Sequence, residues 1–360
     1  MQDQALSRWL SPLMAFCLSF IIIASLAPVV GIHADRQIDF WLLWLSTMLI
    51  LALPITYLEI ALAKRSKMTA LNALSSLTRD ADASQKWRLV GWLAVGFIPF
   101  LAGSILSNAS QLLRQFAFQN VNVNLVFIGL AIAAIVISFI SRKIIVLCTV
   151  IGVLVAIVVA QLQGTALVAW HVTPVQLSEW GSATVLALVA SGLGMGLYWQ
   201  TSLATIKQQD VATKTVLPIW IAQLLAVIAF GFFAVNSLAS GFAFVIAVLG
   251  GAALLLNLVR EQLLERQFNL VLQWLLIVVA LCVWIVPAMH PVLNTLLMLW
   301  GLIICLIYAI FAGWIMKISH LRKSMNFSNE LFYNLWRIAV RVILPLSIIV
   351  AIFVIIGQGF

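Results

Sequence analysis

Polar and apolar positions in this chain segregate into long blocks. Apolar runs occupy approximately residues 10–32, 40–63, 89–113, 123–140, 143–162, 181–205, 215–237, 241–259, 268–288, 292–316 and 336–357, with charges, prolines or turn residues between them. Each has about the length of a helix that crosses a bilayer, roughly 20 residues at 1.5 Å per residue. Barrel strands are shorter and alternate in polarity, so a lipid-exposed barrel is excluded. The expected fold is all-α: a polytopic membrane protein with eleven transmembrane helices, residues 1–360 forming a single transmembrane domain.

Two connections are longer than a simple turn. In 66–88, Met68, Leu71, Leu74 and Leu77 recur at three-residue spacing among polar residues, which predicts a short amphipathic helix lying on the membrane surface. In 163–180, Thr173-Pro174 predicts a helix start before Trp180.

Composition narrows the class. The chain is 64% hydrophobic and 9% charged, whereas soluble domains are about half apolar and a quarter charged. No large soluble domain fits. A net charge of +9 raises the question of nucleic acid, but the distribution of that charge answers it. With the N-terminus inside, only Arg36 and Arg114 of the 20 basic residues fall outside; the others, from Arg8 to Arg341, fall in inner segments. That asymmetry predicts a multi-pass protein of the cytoplasmic (inner) membrane, N-terminus inside and C-terminus outside, whose charge meets the anionic inner leaflet of the lipid bilayer and not nucleic acid. MQDQALSR lacks a basic leader and a small-residue cleavage site, so the first run is expected to be a retained span. Cys17, Cys148, Cys282 and Cys305 lie far apart in apolar runs and read as small buried hydrophobes, neither disulfide framework nor metal site.

Ionisable groups at membrane depth are costly, which focuses attention on Glu59 in Leu53-Pro54-Ile55-Thr56-Tyr57-Leu58-Glu59. It reads either as a buried acid accepting hydrogen bonds from a neighbouring helix or as a proton- or cation-coupling group. Ser191-Gly192-Leu193-Gly194-Met195-Gly196 interrupts the sixth run. Each glycine weakens a helix by roughly 1 kcal/mol relative to alanine. Close packing of small residues is one explanation, and a discontinuous helix facing a solute is the other. A nucleotide-phosphate loop does not fit, because no lysine follows. Ser104, Ser107, Asn108, Ser110 and Gln111 make the third run the most polar, directed to the protein interior or a water-filled cavity, while Gln223 and Asn257 read as interhelical glue. His33, His171, His290 and His320 lie at run ends or in connections, too scattered for a metal site. No run contains a serine–histidine or aspartate pair, so an enzyme is not expected.

These residues also carry a resemblance. Leu53-Pro54-Ile55-Thr56-Tyr57-Leu58-Glu59-Ile60-Ala61-Leu62 resembles the second span of the neurotransmitter:sodium symporters, I-P-L-x-x-L-E-x-A-L-G-R. Trp180 with the later Gly-Leu-Gly-Met-Gly resembles their sixth span, Ala312-Gly313-Trp314 the V-G-W ending the tenth, and Trp336-Arg337-x₃-Arg341-x₃-Pro345 the last span of the eleven-span bacterial members. The resemblance implies a five-plus-five inverted repeat of the leucine-transporter type, repeat one about 10–162 and repeat two about 181–316, plus an extra C-terminal helix at about 336–357. It also implies sodium-coupled uptake of amino acids or related amines at the midplane, with the span-two glutamate supporting a broken span six. In transporters built from such repeats, discontinuous helices face substrate and ion near the middle of the bilayer.

The chain departs from that family where sodium and the solute carboxylate are bound. Phe16–Val30 has no glycine, asparagine, tryptophan or arginine, so the first span is expected to run unbroken to Pro28. The family's ligand and gate positions fall on Val189, Ala190 and Ala222; Ile246–Val259 has no hydroxyl, and Ala102–Ser107 has no tyrosine. A hard cation needs several oxygen ligands, so sodium coupling of the usual kind is not expected, and proton coupling through Glu59 is the alternative. The leading expectation is a divergent symporter-like secondary transporter of a small amino-acid-like solute, with Ser191, Gly192, Gly194, Gly196, Ser107 and Asn108 as candidate substrate contacts and Glu59 as coupling or structural acid. The alternative is a non-transporting membrane scaffold, receptor or complex subunit on the same fold. Nothing in the sequence indicates a protein partner or homodimer, and no cofactor is expected.

Overall fold

The computed structural model describes residues 2–30, 32, 37–163, 169–192, 196–203, 210–234, 242–327 and 329–359. Eight helical segments among these are long and apolar enough to cross a membrane: 9–26, 38–66, 85–115, 142–162, 213–232, 242–265, 287–315 and 330–357. Three shorter apolar helices, 123–137, 177–190 and 270–285, fill the remaining positions, so the eleven runs of the sequence all appear as helix. They are numbered here as spans one to eleven.

Their packing is paired. Span one packs on seven as six packs on two, and one on five as six on ten. Three packs on four as eight does on nine, four on eight as nine on three, and five on eight as ten on three. Exchanging span n for span n+5 maps each of these pairs onto its partner, as expected of two five-helix repeats. Close approach of five and eight rests on small residues: a Cβ on Gly152 would stand 3.2 Å from Ala247 Cα.

Prolines shape the helices locally. Proline lacks the N–H that would bond four residues back, and the ladder ahead of it can widen by one residue to accommodate this. Five-residue π-helical stretches end two residues before Pro54 (Met48–Ala52) and before Pro345 (Ala339–Ile343). Other such stretches are Leu186–Ala190, Phe230–Ala234 and Phe311–Ile315.

The basic segments gather at one end of the bundle. Ion pairs join Arg65 to Asp80, Arg142 to Glu261, Lys317 to Asp82 and Arg322 to Glu330, and Lys64 reaches the Asp210 carbonyl. The opposite end joins Asp39 to Thr173 and Ile38 to His171. Each contact links segments that the charge asymmetry assigns to the same side.

Three sequence expectations need correction. The amphipathic helix exists as Ala70–Asp80, but Leu71, Leu74 and Leu77 are buried in protein and do not lie on a membrane surface. Gly91 leaves the notch that admits them, since a Cβ there would meet Leu74 Cδ1 at 2.8 Å. Thr173 does not start a helix: its N–H and hydroxyl bond Asp39 at 2.9 and 3.0 Å, and the sixth span begins at Leu177 behind a capping box of Gln176 and Glu179. Of the cysteines, Cys17 and Cys305 are buried, but Cys148 and Cys282 lie on the outer surface of the bundle. An apolar run marks a lipid-facing position as readily as a core one.

Candidate functional site

The sixth span is interrupted where its glycines predict. Its helical first half ends at Ala190, Gly192 and Gly196 take φ of +70° and +77°, and helix resumes as Leu197–Leu203. Positive φ is costly for residues with a Cβ. Crowding adds to this at Gly196, where a Cβ would lie 2.6 Å from Ala70 Cβ. Gly194 lies outside the described residues.

A resumed helix starts with amides that have no intrahelical partner. Glu59, buried in the second span, supplies one: its Oε1 accepts from Tyr198 N at 3.1 Å and Trp199 N at 2.9 Å. A carboxylate there also meets the positive end of the helix dipole. Trp199 anchors the same turn sideways, its indole N–H donating to the Met68 carbonyl at 2.8 Å.

One carbonyl at the break is satisfied as well. Tyr198 Oη donates to the Ser191 carbonyl at 3.0 Å, and Gln223 Nε2 reaches that oxygen at 3.3 Å. Ser191 Oγ turns back to Leu186 O at 3.2 Å. The surrounding midplane is filled by side chains. Span one is continuous helix from Gln2 to Leu26, and its Phe20, Ile21, Ile22 and Ile23 are fully buried. Ile21 packs on Gly251, and Val189 and Phe97 both pack against Gly301.

Ser107 and Asn108 belong elsewhere. Asn108 Nδ2 donates to Ser25 O at 3.1 Å, and Ser107 Oγ lies 3.3 Å from His290 Nε2. Their bonds tie span three to the outer ends of spans one and ten and do not reach the break. This serine–histidine pair is assembled from two different spans, 183 residues apart in sequence, so no single run contains it. Asn257 works as glue, donating to Ser138 O at 2.9 Å. Among the described residues no group of three His, Cys, Asp or Glu side chains is placed to hold a metal ion.

Sequence reasoning overlooked Tyr198, which closes the break from within. Its signal was available: a hydroxylated aromatic two residues beyond the last glycine of the interruption.

No protein-family model matches the chain, and no curated protein sequence matches it. Solved structures do. MhsT in complex with L-phenylalanine superposes with a TM-score of 0.69 at 14% identity, covering 95% of this chain and 98% of MhsT. The Eremococcus coleocola manganese transporter, in complex with an aromatic bis-isothiourea substituted compound, gives a TM-score of 0.62 at 13% identity, covering 98% of this chain and 86% of that one. Both have the leucine-transporter fold, and this chain has it too. At these identities the likeness establishes the fold.

Proposed function

We propose that this chain is a secondary transporter that moves a small amino-acid-like solute across the cytoplasmic membrane, without sodium coupling of the usual kind. The observation that carries the reading is the interrupted sixth span, with Glu59 holding the first amides of its second half. In this architecture a helix interrupted at the midplane is where solutes and coupling ions are met. Repeats of about 10–162 and 181–316 move against each other in this reading, and Ser191, Gly192 and Gly196 face the solute. Ser107 and Asn108 act at the outer end of the path. A proton arriving on Glu59 weakens its hold on Tyr198 and Trp199, which links protonation to the geometry of the break.

Uptake into proteoliposomes tests the proposal. Because one structural neighbour was solved with L-phenylalanine, aromatic amino acids are the first solutes to try. Accumulation driven by a proton gradient, equal in sodium and choline, is the expected result. Absence of uptake under every gradient and solute tried would overturn it.

A second reading, a non-transporting scaffold, receptor or complex subunit, is favoured by one specific observation. Tyr198 and Gln223 already occupy the Ser191 carbonyl that a broken helix would otherwise offer to a solute. The assigned orientation has its own check. A cysteine replacing Gln119 should react with an impermeant reagent from outside, and one replacing Lys214 should not.

A further inference from the structure

The outer end of span three carries a cavity that the transport reading does not use. Its volume is about 570 Å³, and it opens between the last turns of span three, the start of span four at Val123, and the turn joining spans nine and ten at Pro287 and His290. That size suits a small organic molecule or a headgroup better than a single ion.

Its lining joins apolar Val123 and Pro287 to three glutamines, His290 and Arg114, and holds no acid. Gln111, Arg114 and Gln115 share a helix face at spacings of three and four residues, and Gln119 follows just beyond the helix end at Phe116. Arg114 is one of only two basic residues that the charge asymmetry leaves on the outer side, where arginine runs against the usual topological bias. Among the described residues no carboxylate pairs with it. The described acids on that side are already engaged, Asp39 by Thr173 and Glu179 by the Gln176 N–H.

The back wall is held in a defined hydrogen-bonding state. His290 Nε2 lies 3.0 Å from the Trp284 carbonyl, which can only accept, so Nε2 carries the proton. In the neutral ring Nδ1 then accepts, and Gln111 Nε2 donates to it at 3.2 Å. That bond orients the Gln111 amide. Gln119 Nε2 donates to the Gln115 carbonyl at 3.2 Å, which fixes the last turn of the helix. The cavity thus presents a planar guanidinium beside the side-chain amides of Gln111, Gln115 and Gln119, the first and last of them held by these bonds, a donor set that matches carboxylate or phosphate oxygens.

We propose that this cavity is a binding site for a small organic anion bearing a carboxylate or phosphate, with Arg114 as charge partner and Gln111 and Gln115 as amide donors. It is separate from the break in span six, and the inference stands whether or not the chain transports. A free metabolite and the headgroup of an anionic lipid share this chemistry.

Thermal unfolding of the purified full-length protein distinguishes the sources and tests the site, because a ligand bound only by the folded state raises Tm by mass action. One arm titrates citrate or glycerol phosphate against sodium chloride at equal ionic strength. The other compares nanodiscs of phosphatidylcholine alone with nanodiscs containing phosphatidylglycerol. A saturable rise with the soluble anions identifies a free solute; a rise confined to phosphatidylglycerol identifies a headgroup. In either case Arg114→Gln should weaken binding about tenfold or more, the worth of a charge-assisted hydrogen bond. Arg114→Lys keeps the charge without the fork and should fall between, which provides a readout should the glutamine variant be unstable. No rise in either arm, or a rise that Arg114→Gln leaves intact, would overturn the proposal.

Discussion

Spans one and six hold corresponding places in the two repeats, yet they are built differently. Span one runs as continuous helix from Gln2 to Leu26, whereas span six stops at Ala190 and resumes at Leu197. Hydrophobicity does not separate them, since both are apolar and buried. Backbone permission does. Span six has Gly192 and Gly196 at positive φ, whereas Phe16–Val30 contains no glycine and includes the stiff run Ile21–Ile23. Permission alone is not enough, because a break in an apolar medium exposes amides and carbonyls that must find partners. Glu59 accepts from the amides, and Tyr198 and Gln223 donate to the Ser191 carbonyl. A broken helix therefore needs glycine within the segment and acceptors and donors on its neighbours.

The sharpest way to break this contrast is to remove the acceptor. Glu59→Leu should leave the Tyr198 and Trp199 amides unpaired, at roughly 1–3 kcal/mol for each buried donor. Glu59→Gln keeps a carbonyl oxygen and should lose much less. Thermal unfolding of both variants measures the difference, and equal stability would show that the amides do not depend on Glu59.

Removing permission comes next. Gly196→Ala places a Cβ at positive φ and 2.6 Å from Ala70 Cβ, so it should cost about 1–3 kcal/mol and disturb the docking of the Ala70–Asp80 helix. Protease sensitivity around residues 66–88 reads that second effect. An unaltered Tm and cleavage pattern would mean that this turn adapts freely.

Granting permission where no partners wait is the converse experiment. Ala24→Gly in span one should cost about 1 kcal/mol in helix propensity and leave the helix continuous, because among the described residues no carboxylate receives span-one amides as Glu59 receives those of span six. A spin label pair across position 24 would report a break by a changed distance distribution, and such a change would reduce the distinction between the spans to glycine content.

The smallest expected effect concerns sodium. An unbroken span one withholds its backbone carbonyls, Ala222 replaces an amide, and Ile246–Val259 offers no hydroxyl. Replacing sodium by choline should leave Tm and any solute binding unchanged. A sodium-specific rise in Tm, absent with potassium at equal ionic strength, would reveal an ion site that these residues do not suggest.

How far the site was legible depended on whether its signal was local. Glu59 stood out because a lone carboxylate in an apolar run is costly, and the sixth-span interruption because glycines cluster there. The partnership of Tyr198 with Ser191 spans seven residues but crosses the break, so helical periodicity does not bring them together. Ser107 and His290 each look ordinary alone, and only the packing of span ten on span three makes them neighbours.

The membrane class, the eleven apolar helices, an expected division of the connections between two sides, and the glycine cluster where one helix could break were all legible in the sequence alone. These follow from solvent transfer, charge placement and backbone sterics, which act on a segment wherever it sits. Tertiary structure decided whether an apolar face meets lipid or protein, as with Leu71 and Cys148, and which polar groups share a bond, as with Glu59, Tyr198 and His290. Those outcomes depend on which helices become neighbours. A hydrogen bond is decided within about 3 Å, and one segment's composition does not say which other segment will come that close.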